Sequence, residues 1–290
     1  MKPFSYIEPE LMPEALALLA QNGEEAKVIA GGTALVNFMK HGLIEPRVLI
    51  GLRRFKHMRG ISVSNGITIG ALTTLHAIQM SPLIAKHAPL LADACSHVAT
   101  VRVRGMATIG GALAYADPAL DTPPALIAMD ARIKLLSEHG ERVVPADEFF
   151  KGIFETVLEP HEIIIEVAIP AQPPGSGCAF LKFVPATHDD YATVCVAVRL
   201  AIVDGRISEA RVALGAIGTT PVRAAPAETR LRGIAPDTKA FADVARMTAG
   251  SLEPLANLRG SSEYKRAMAA VFVRRALELA AKRAIGGVRS

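Results

Sequence analysis

Apolar positions change their period several times along the chain. Over residues 10–22, Pro13 stands near a first turn, an Ala- and Leu-rich run follows, and Asn22-Gly23 closes the stretch. Proline near the start and glycine past the end punctuate a helix. Lys27-Val-Ile-Ala predicts a short strand broken at Gly31-Gly32, followed by a helix over 34–41 that stops at Gly42 and a strand over 47–50. The first fifty-odd residues thus read strand–helix–strand–helix–strand, a small α/β unit.

Beyond Arg59 the pattern turns to hairpins. Gly60-Ile-Ser-Val and Ile67-Thr-Ile-Gly flank Ser64-Asn65-Gly66, and Asn-Gly suits the positive φ of a tight hairpin turn. Helical patterns follow at 73–80 and 89–98, and another opens near Asp121-Thr-Pro-Pro. A second hairpin is predicted around His139-Gly140, and Glu162-Ile-Ile-Ile-Glu-Val-Ala-Ile reads as a long strand ended by Pro170. Ala171-Gln-Pro-Pro-Gly-Ser-Gly lacks periodicity and reads as a linker. After it come strands at 178–184, 193–203 and 207–216, turning at Asp204-Gly205, and then helices at about 223–232, 238–249 and 263–284. The expected class is α+β: a two-lobed N-terminal part to about residue 170, then a sheet with helices.

Composition narrows the function classes. The chain has 290 residues, 50% hydrophobic and 21% charged, which excludes a disordered chain. Lys plus Arg at 32 against Asp plus Glu at 28 leaves +4, with no dense basic block, few aromatics and no Trp, which argues against a nucleic-acid binder. Cys95, Cys178 and Cys195 are isolated. A disulfide framework is not expected, and an iron–sulfur cluster, which ordinarily takes four thiolates, cannot be held here by cysteine alone. The opening Met-Lys-Pro-Phe-Ser-Tyr lacks the apolar run of a signal peptide, and no apolar stretch approaches the roughly 18 residues of a membrane span. A cytoplasmic protein is expected.

Two glycine pairs carry the candidate chemistry. Val28-Ile-Ala-Gly-Gly-Thr-Ala-Leu and Ala107-Thr-Ile-Gly-Gly-Ala-Leu each place Gly-Gly directly after an apolar run. Such elbows let backbone N–H groups approach an anion, and a dinucleotide pyrophosphate cradled from two sides needs two of them. Plain tight turns are the other reading. The spacing fits neither the GxGxxG fingerprint nor a P-loop. Asp121 reads equally as a helix cap or as an acceptor for a sugar hydroxyl. Lys182 reads as a solvated strand residue. His188 with Asp189 and Asp190 brings metal binding to mind, but adjacent loop residues rarely converge on one ion.

Taken in order, Ala30-Gly-Gly-Thr, Arg104-Gly-Met-Ala-Thr-Ile-Gly-Gly, Asp117-Pro-Ala-Leu-Asp, and Lys182 followed by Asp189-Asp190-Tyr191-Ala resemble the FAD-binding medium subunit of the molybdenum hydroxylases, the xanthine dehydrogenase and carbon monoxide dehydrogenase group. The resemblance runs over essentially the whole chain. It implies the vanillyl-alcohol-oxidase-like (PCMH-type) FAD fold, with subdomains at 1–57 and 58–172 and a C-terminal antiparallel sheet with helical bundle at 176–290. By the same resemblance Val28, Ile29, Ala30, Gly31, Gly32, Thr33, Ala34 and Leu35 line one pyrophosphate loop, and Thr108, Gly110, Gly111, Ala112 and Ala114 the other. Asp121 matches an acid contacting the ribityl chain, Ile163 and Ile164 apolar contacts to flavin or adenine, and Lys182 a lysine near the isoalloxazine. Tyr191 falls on the loop approaching the flavin ring, as a gate on acceptor access. No residue of this chain is expected to act as a catalytic acid or base, and no metal ligand is expected in it.

The sequence departs from the family pattern in places. Relatives often carry Ser, Asp or Glu at the position of Ala34, Asn or Ser at that of Ala112, and basic residues where Ala186 and Thr187 stand; the backbone nests survive these changes. With no cysteine-bearing insertion, the 4-hydroxybenzoyl-CoA reductase type is not indicated. The implied function is electron transfer: a large molybdenum-cofactor partner oxidises the substrate, a small partner with [2Fe–2S] clusters relays electrons, and FAD here passes them to NAD or a quinone, in a heterohexamer. A self-sufficient FAD-dependent oxidoreductase and a non-catalytic assembly module of the same fold are the alternatives.

Overall fold

The computed structural model describes residues 1–187 and 189–286. The first lobe is a three-stranded parallel sheet of β1 (Ser5–Ile7), β2 (Ala26–Ile29) and β3 (Val48–Gly51), ordered β1-β3-β2. Parallel neighbours need crossovers, and α1 (Met12–Asn22) and α2 (Leu35–Lys40) supply them. Helix α1 has Pro13 in its first turn, buries Ala15, Leu16 and Leu19, and stops at Gly23, where φ is +49°. All three strands therefore point their C-terminal ends the same way, toward the loop after β2.

The second lobe is an antiparallel sheet ordered β4-β5-β10-β6-β7. Its members are β4 (Ile61–Ser64), β5 (Gly66–Gly70), β6 (Arg132–Ser137), β7 (Gly140–Pro145) and β10 (Ile163–Pro170), with a small hairpin of β8 (Phe150–Gly152) and β9 (Glu155–Thr156) between β7 and β10. Both hairpins turn at the expected glycines, Gly66 and Gly140, with φ of +122° and +117°. Between β5 and β6 the chain packs six short helices: α3 (Leu75–Met80), α4 (Pro82–His87), α5 (Pro89–Ser96), α6 (Val101–Met106), α7 (Ile109–Tyr115) and α8 (Thr122–Ala128). Hydroxyl caps start four of them, at Thr74, Ser81, Thr100 and Thr108.

Here the apolar run Ala107-Thr-Ile departs from expectation. It does not end in an open glycine elbow: Thr108 caps α7, so Gly110 and Gly111 lie within the helix's first turn. Helices α4 and α6 are also absent from the sequence pattern.

After Pro170 the chain crosses to a second antiparallel sheet, ordered β11-β12-β13-β14, of β11 (Ser176–Phe183), β12 (Val194–Val203), β13 (Arg206–Gly215) and β14 (Val222–Arg223). Helices α9 (Ala225–Leu231), α10 (Thr238–Gly250) and α11 (Ser262–Gly286) cover one face. Strand β12 is buried on both faces, because alternate residues point to opposite sides of a sheet. Val194, Val196, Val198 and Leu200 join the core under α10 and α11, while Cys195 and Ala197 join the core of the N-terminal part. Close contact with α11 is enforced at Gly177, where a Cβ would come within 2.2 Å of the Ala280 carbonyl oxygen.

A charged cluster fastens the two parts together. The Arg199 guanidinium, 2% exposed, donates to Asp130 at 3.0 Å and Glu209 at 2.5 Å, and Arg211 reaches the same Asp130 at 2.8 Å.

Candidate functional site

The site begins where β2 ends. Residues 30–34 leave the C-terminal edge of the parallel sheet, and Gly32 takes φ +70°, which glycine adopts without strain. Val36 N–H donates to Gly32 O at 3.1 Å to open α2, but among the described residues no backbone carbonyl accepts from the amides of 31–35. The residues there are half-buried. A run of unpaired amides in a half-buried loop is unusual, since such groups nearly always find a partner.

Gly31 brings the two glycine-bearing segments together. A Cβ built on it would lie 1.8 Å from the Met106 carbonyl oxygen and 3.2 Å from Ala107 N. The loop backbone therefore rests directly on the end of α6, and only glycine permits it.

The second pair works differently from the expected open nest. Ile109 N–H donates to Thr73 O, Gly110 N–H to Ala71 O and Ala112 N–H to Thr108 O, while the Thr108 hydroxyl accepts from Gly111 N–H at 3.1 Å. A helix start uses these amides internally, so this pair offers no free backbone cradle. Gly110 instead seats α7 against Ala71, whose Cβ would be 2.7 Å from a Cβ at 110. Thr108 and Ala112 are buried, whereas Gly111 and Ala114, three residues apart on one helical face, are exposed and present a smooth surface.

Asp121 precedes α8 but makes no capping hydrogen bond with its side chain. Its carboxylate is buried. Oδ2 accepts from Lys182 Nζ at 2.8 Å, and Oδ1 has no partner. Burial pushes its pKa up to about 6, against the opposing pull of Lys182. Lys182 is likewise no solvated strand lysine: its side chain is 3% exposed and also donates to the His97 carbonyl at 2.9 Å. Strand β11 places it there because alternation turns Phe180 and Lys182 toward the N-terminal part.

Ile163 and Ile164 are buried on β10 opposite Leu136 and Leu135, beside the irregularity at Ile165 whose carbonyl accepts from Ala71 N–H at 3.0 Å. That bond links β10 to the residue on which Gly110 rests. Val28, Ile29 and Leu35 are half-buried along the first loop, with Thr33 and Ala34.

Tyr191 lies beneath the Arg259 guanidinium, 5.2 Å from its ring centroid, and Arg259 also pairs with Asp190 at 2.9 Å. Partial burial raises the Tyr191 pKa. Its neighbour Tyr115 donates to Asp117 at 3.1 Å and packs edge-on to Phe38 and tilted against Phe154, at centroid distances of 5.5 and 5.3 Å. Sequence reading missed Tyr115, Phe38, Phe154, Arg259 and His97. Tyr115 alone left a trace, four residues after Gly111 on the same helical face. His188 lies outside the described residues, and among those described no three His, Cys, Asp or Glu side chains converge as a metal site. The three cysteines are free and buried. Among the described residues no helix is long and apolar enough to cross a membrane.

These features suit a diphosphate ligand that also carries hydroxyl groups. The first loop offers donors to a diphosphate, Asp121 Oδ1 offers an acceptor to a hydroxyl, and Gly31 lets the loop backbone lie against the end of α6. Fold and site together suit a dinucleotide-binding protein of two N-terminal lobes followed by a C-terminal sheet with helices. Residues 2–172 match the family described as FAD binding domain in molybdopterin dehydrogenase, and residues 179–280 match the CO dehydrogenase flavoprotein C-terminal domain. The carbon monoxide dehydrogenase medium chain of Hydrogenophaga pseudoflava is 37% identical, with 96% of each chain covered. The 6-hydroxypseudooxynicotine dehydrogenase complex subunit alpha of Paenarthrobacter nicotinovorans is 35% identical, covering 98% of this chain and 97% of that one. Among solved structures, a carbon monoxide dehydrogenase from Hydrogenophaga pseudoflava superimposes with a TM-score of 0.94 at 38% identity, covering 97% of this chain and 98% of that one. The chain belongs to the family of FAD-binding medium subunits of molybdenum hydroxylases, and is an FAD-binding subunit of an oxidoreductase.

Proposed function

We propose that the chain serves electron relay within a larger assembly, holding the FAD that would connect the [2Fe–2S] clusters of a small partner to NAD or a quinone. A large partner with the molybdenum cofactor oxidises the substrate. Bound FAD supplies the chemistry, accepting electrons singly and releasing them in pairs, while the protein binds, orients and tunes it. The observation that carries this reading is the run of unpaired amides at 31–35, half-buried and pressed on the second lobe by Gly31. Two relatives aligned over nearly their whole length bear names with different substrates, carbon monoxide and 6-hydroxypseudooxynicotine, which supports substrate choice residing outside this chain.

In this reading Val28 to Leu35 hold the diphosphate side of FAD, and Thr108, Gly110, Gly111, Ala112 and Ala114 form the facing wall by packing. Asp121 takes a ribityl hydroxyl, Ile163 and Ile164 back the apolar wall, Lys182 stands near the isoalloxazine, and Tyr191 governs acceptor access. The division into units at 1–57, 58–172 and 176–290, the heterohexamer and a cytoplasmic location complete the proposal. The test is to co-produce the chain with its partner chains and measure visible flavin absorbance and reduction by the substrate-reduced complex. One flavin per chain, reduced through the clusters and reoxidised by NAD or a quinone, is expected; a complex without flavin would exclude the relay.

A further inference from the structure

We infer that Lys182 is a positioning residue for bound flavin: by holding one oxygen of Asp121 it presents the other, Oδ1, to a ribityl hydroxyl. The inference rests on the FAD reading above and deepens it. Lys182 Nζ is fixed by two bonds to different elements, Asp121 Oδ2 at 2.8 Å ahead of α8 and the His97 carbonyl at 2.9 Å after α5. Both partners of the ion pair are buried, with side chains 3% and 5% exposed. The carboxylate cannot turn Oδ2 elsewhere without stranding the ammonium. Oδ1 has no hydrogen-bond partner, and a buried acceptor left unpaired is destabilising. A hydroxyl donor arriving there removes that cost.

The surroundings show why the lysine matters. Lys182 and Cys195 face Asp121 from the C-terminal sheet, Cys95 and His97 from α5 and its end, and Tyr191 from the loop ahead of β12. Burial favours the neutral acid, and Lys182 is the largest influence opposing it. Only the carboxylate accepts at both oxygens at once, so it favours the flavin-bound form. Affinity for FAD is then present above the pKa of the free site, about 6, and declines as pH falls through it.

This differs from a lysine acting on the isoalloxazine directly, which would shift the flavin potential whatever stands at 121. The experiment uses the full chain co-produced with its partner chains, stripped of flavin, with FAD rebinding followed by flavin fluorescence between about pH 5 and 8. Wild type is expected to lose affinity on acidification near pH 6. Lys182→Met weakens binding at neutral pH by about tenfold or more and moves the midpoint upward. Lys182→Arg keeps the charge and restores the midpoint in part. Asp121→Asn abolishes the pH dependence, and Asp121→Asn/Lys182→Met binds no more weakly than Asp121→Asn alone. Unchanged affinity and midpoint in Lys182→Met would overturn the inference, as would an equal loss from Lys182→Met in the Asp121→Asn background. Should Lys182→Met fail to fold, the comparison of Lys182→Arg with wild type decides: an unmoved midpoint together with weakened binding would count against the role. A wild-type complex that takes up no FAD would instead defeat the underlying FAD reading.

Discussion

At the scale of single residues, two glycine pairs that look alike in sequence do unlike work. Gly31 has no room for any side chain because the Met106 carbonyl lies 1.8 Å from its ideal Cβ, whereas Gly110 and Gly111 begin a helix whose amides are already spent. Gly31→Val is therefore expected to part the loop from α6, strip the flavin from the complex, and lower stability by about 1–3 kcal/mol. Flavin-to-protein ratio and urea unfolding would measure both effects. Gly111→Ala is the contrast: the site is exposed and only the Thr108 hydroxyl, 2.9 Å from an ideal Cβ, must adjust, so stability changes little. The first glycine pair was legible because an apolar strand and a Gly-Gly elbow form within a few residues. The partnership of Asp121 with Lys182, 61 positions apart, left no local trace: alone, Asp121 reads equally as a helix cap or a sugar-hydroxyl acceptor, and Lys182 as a solvated strand lysine.

Elements were legible in proportion to their length. The hairpins at Asn65-Gly66 and His139-Gly140, the strands of the C-terminal sheet and the long closing helix all carry many residues of one period. Helices α4 and α6 have six residues each, too few for a 3.6-residue repeat to declare itself. In the same region the apolar run at 107–109 hid a capping hydroxyl: Thr108 starts α7 where the sequence shows only an apolar run ahead of a glycine pair. Its removal is a direct check. Thr108→Ala should cost about 1 kcal/mol, the ordinary worth of an N-cap, and leave Gly111 N–H without its acceptor. Urea unfolding of the variant with and without FAD separates the cap from the cofactor: equal losses in both states mean that Thr108 acts only through α7, and a larger loss with FAD means that its hydroxyl also reaches the ligand.

For the whole molecule, the decisive feature is that the C-terminal sheet is covered on both faces, so the flavin-binding part and the C-terminal unit share one boundary. Along β12 the sequence shows only a continuous apolar run, which fits a doubly buried strand but does not say what lies on either side. The charged residues say more once placed. Asp130, held at φ +53° after α8, accepts from Arg199 at 3.0 Å and Arg211 at 2.8 Å, on β12 and β13. Arg199 is 2% exposed, so removing a partner strands a buried cation rather than a solvated one. Asp130→Asn retains a residue tolerant of left-handed backbone and deletes only the charge. It should destabilise the chain by about 1–3 kcal/mol, below the full penalty for a buried pair because Glu209 still serves Arg199 at 2.5 Å. Asp147→Asn is the control, since Asp147 meets Arg223 at 3.1 Å with both side chains part-exposed, and exposed pairs are worth under about 1 kcal/mol. Urea unfolding of both variants should rank them in that order. Because Asp121 and Lys182 straddle the same boundary, the Asp130 variant should also loosen FAD while Asp147→Asn does not; equal flavin retention in the two would mean that the boundary holds the cofactor without help from this cluster.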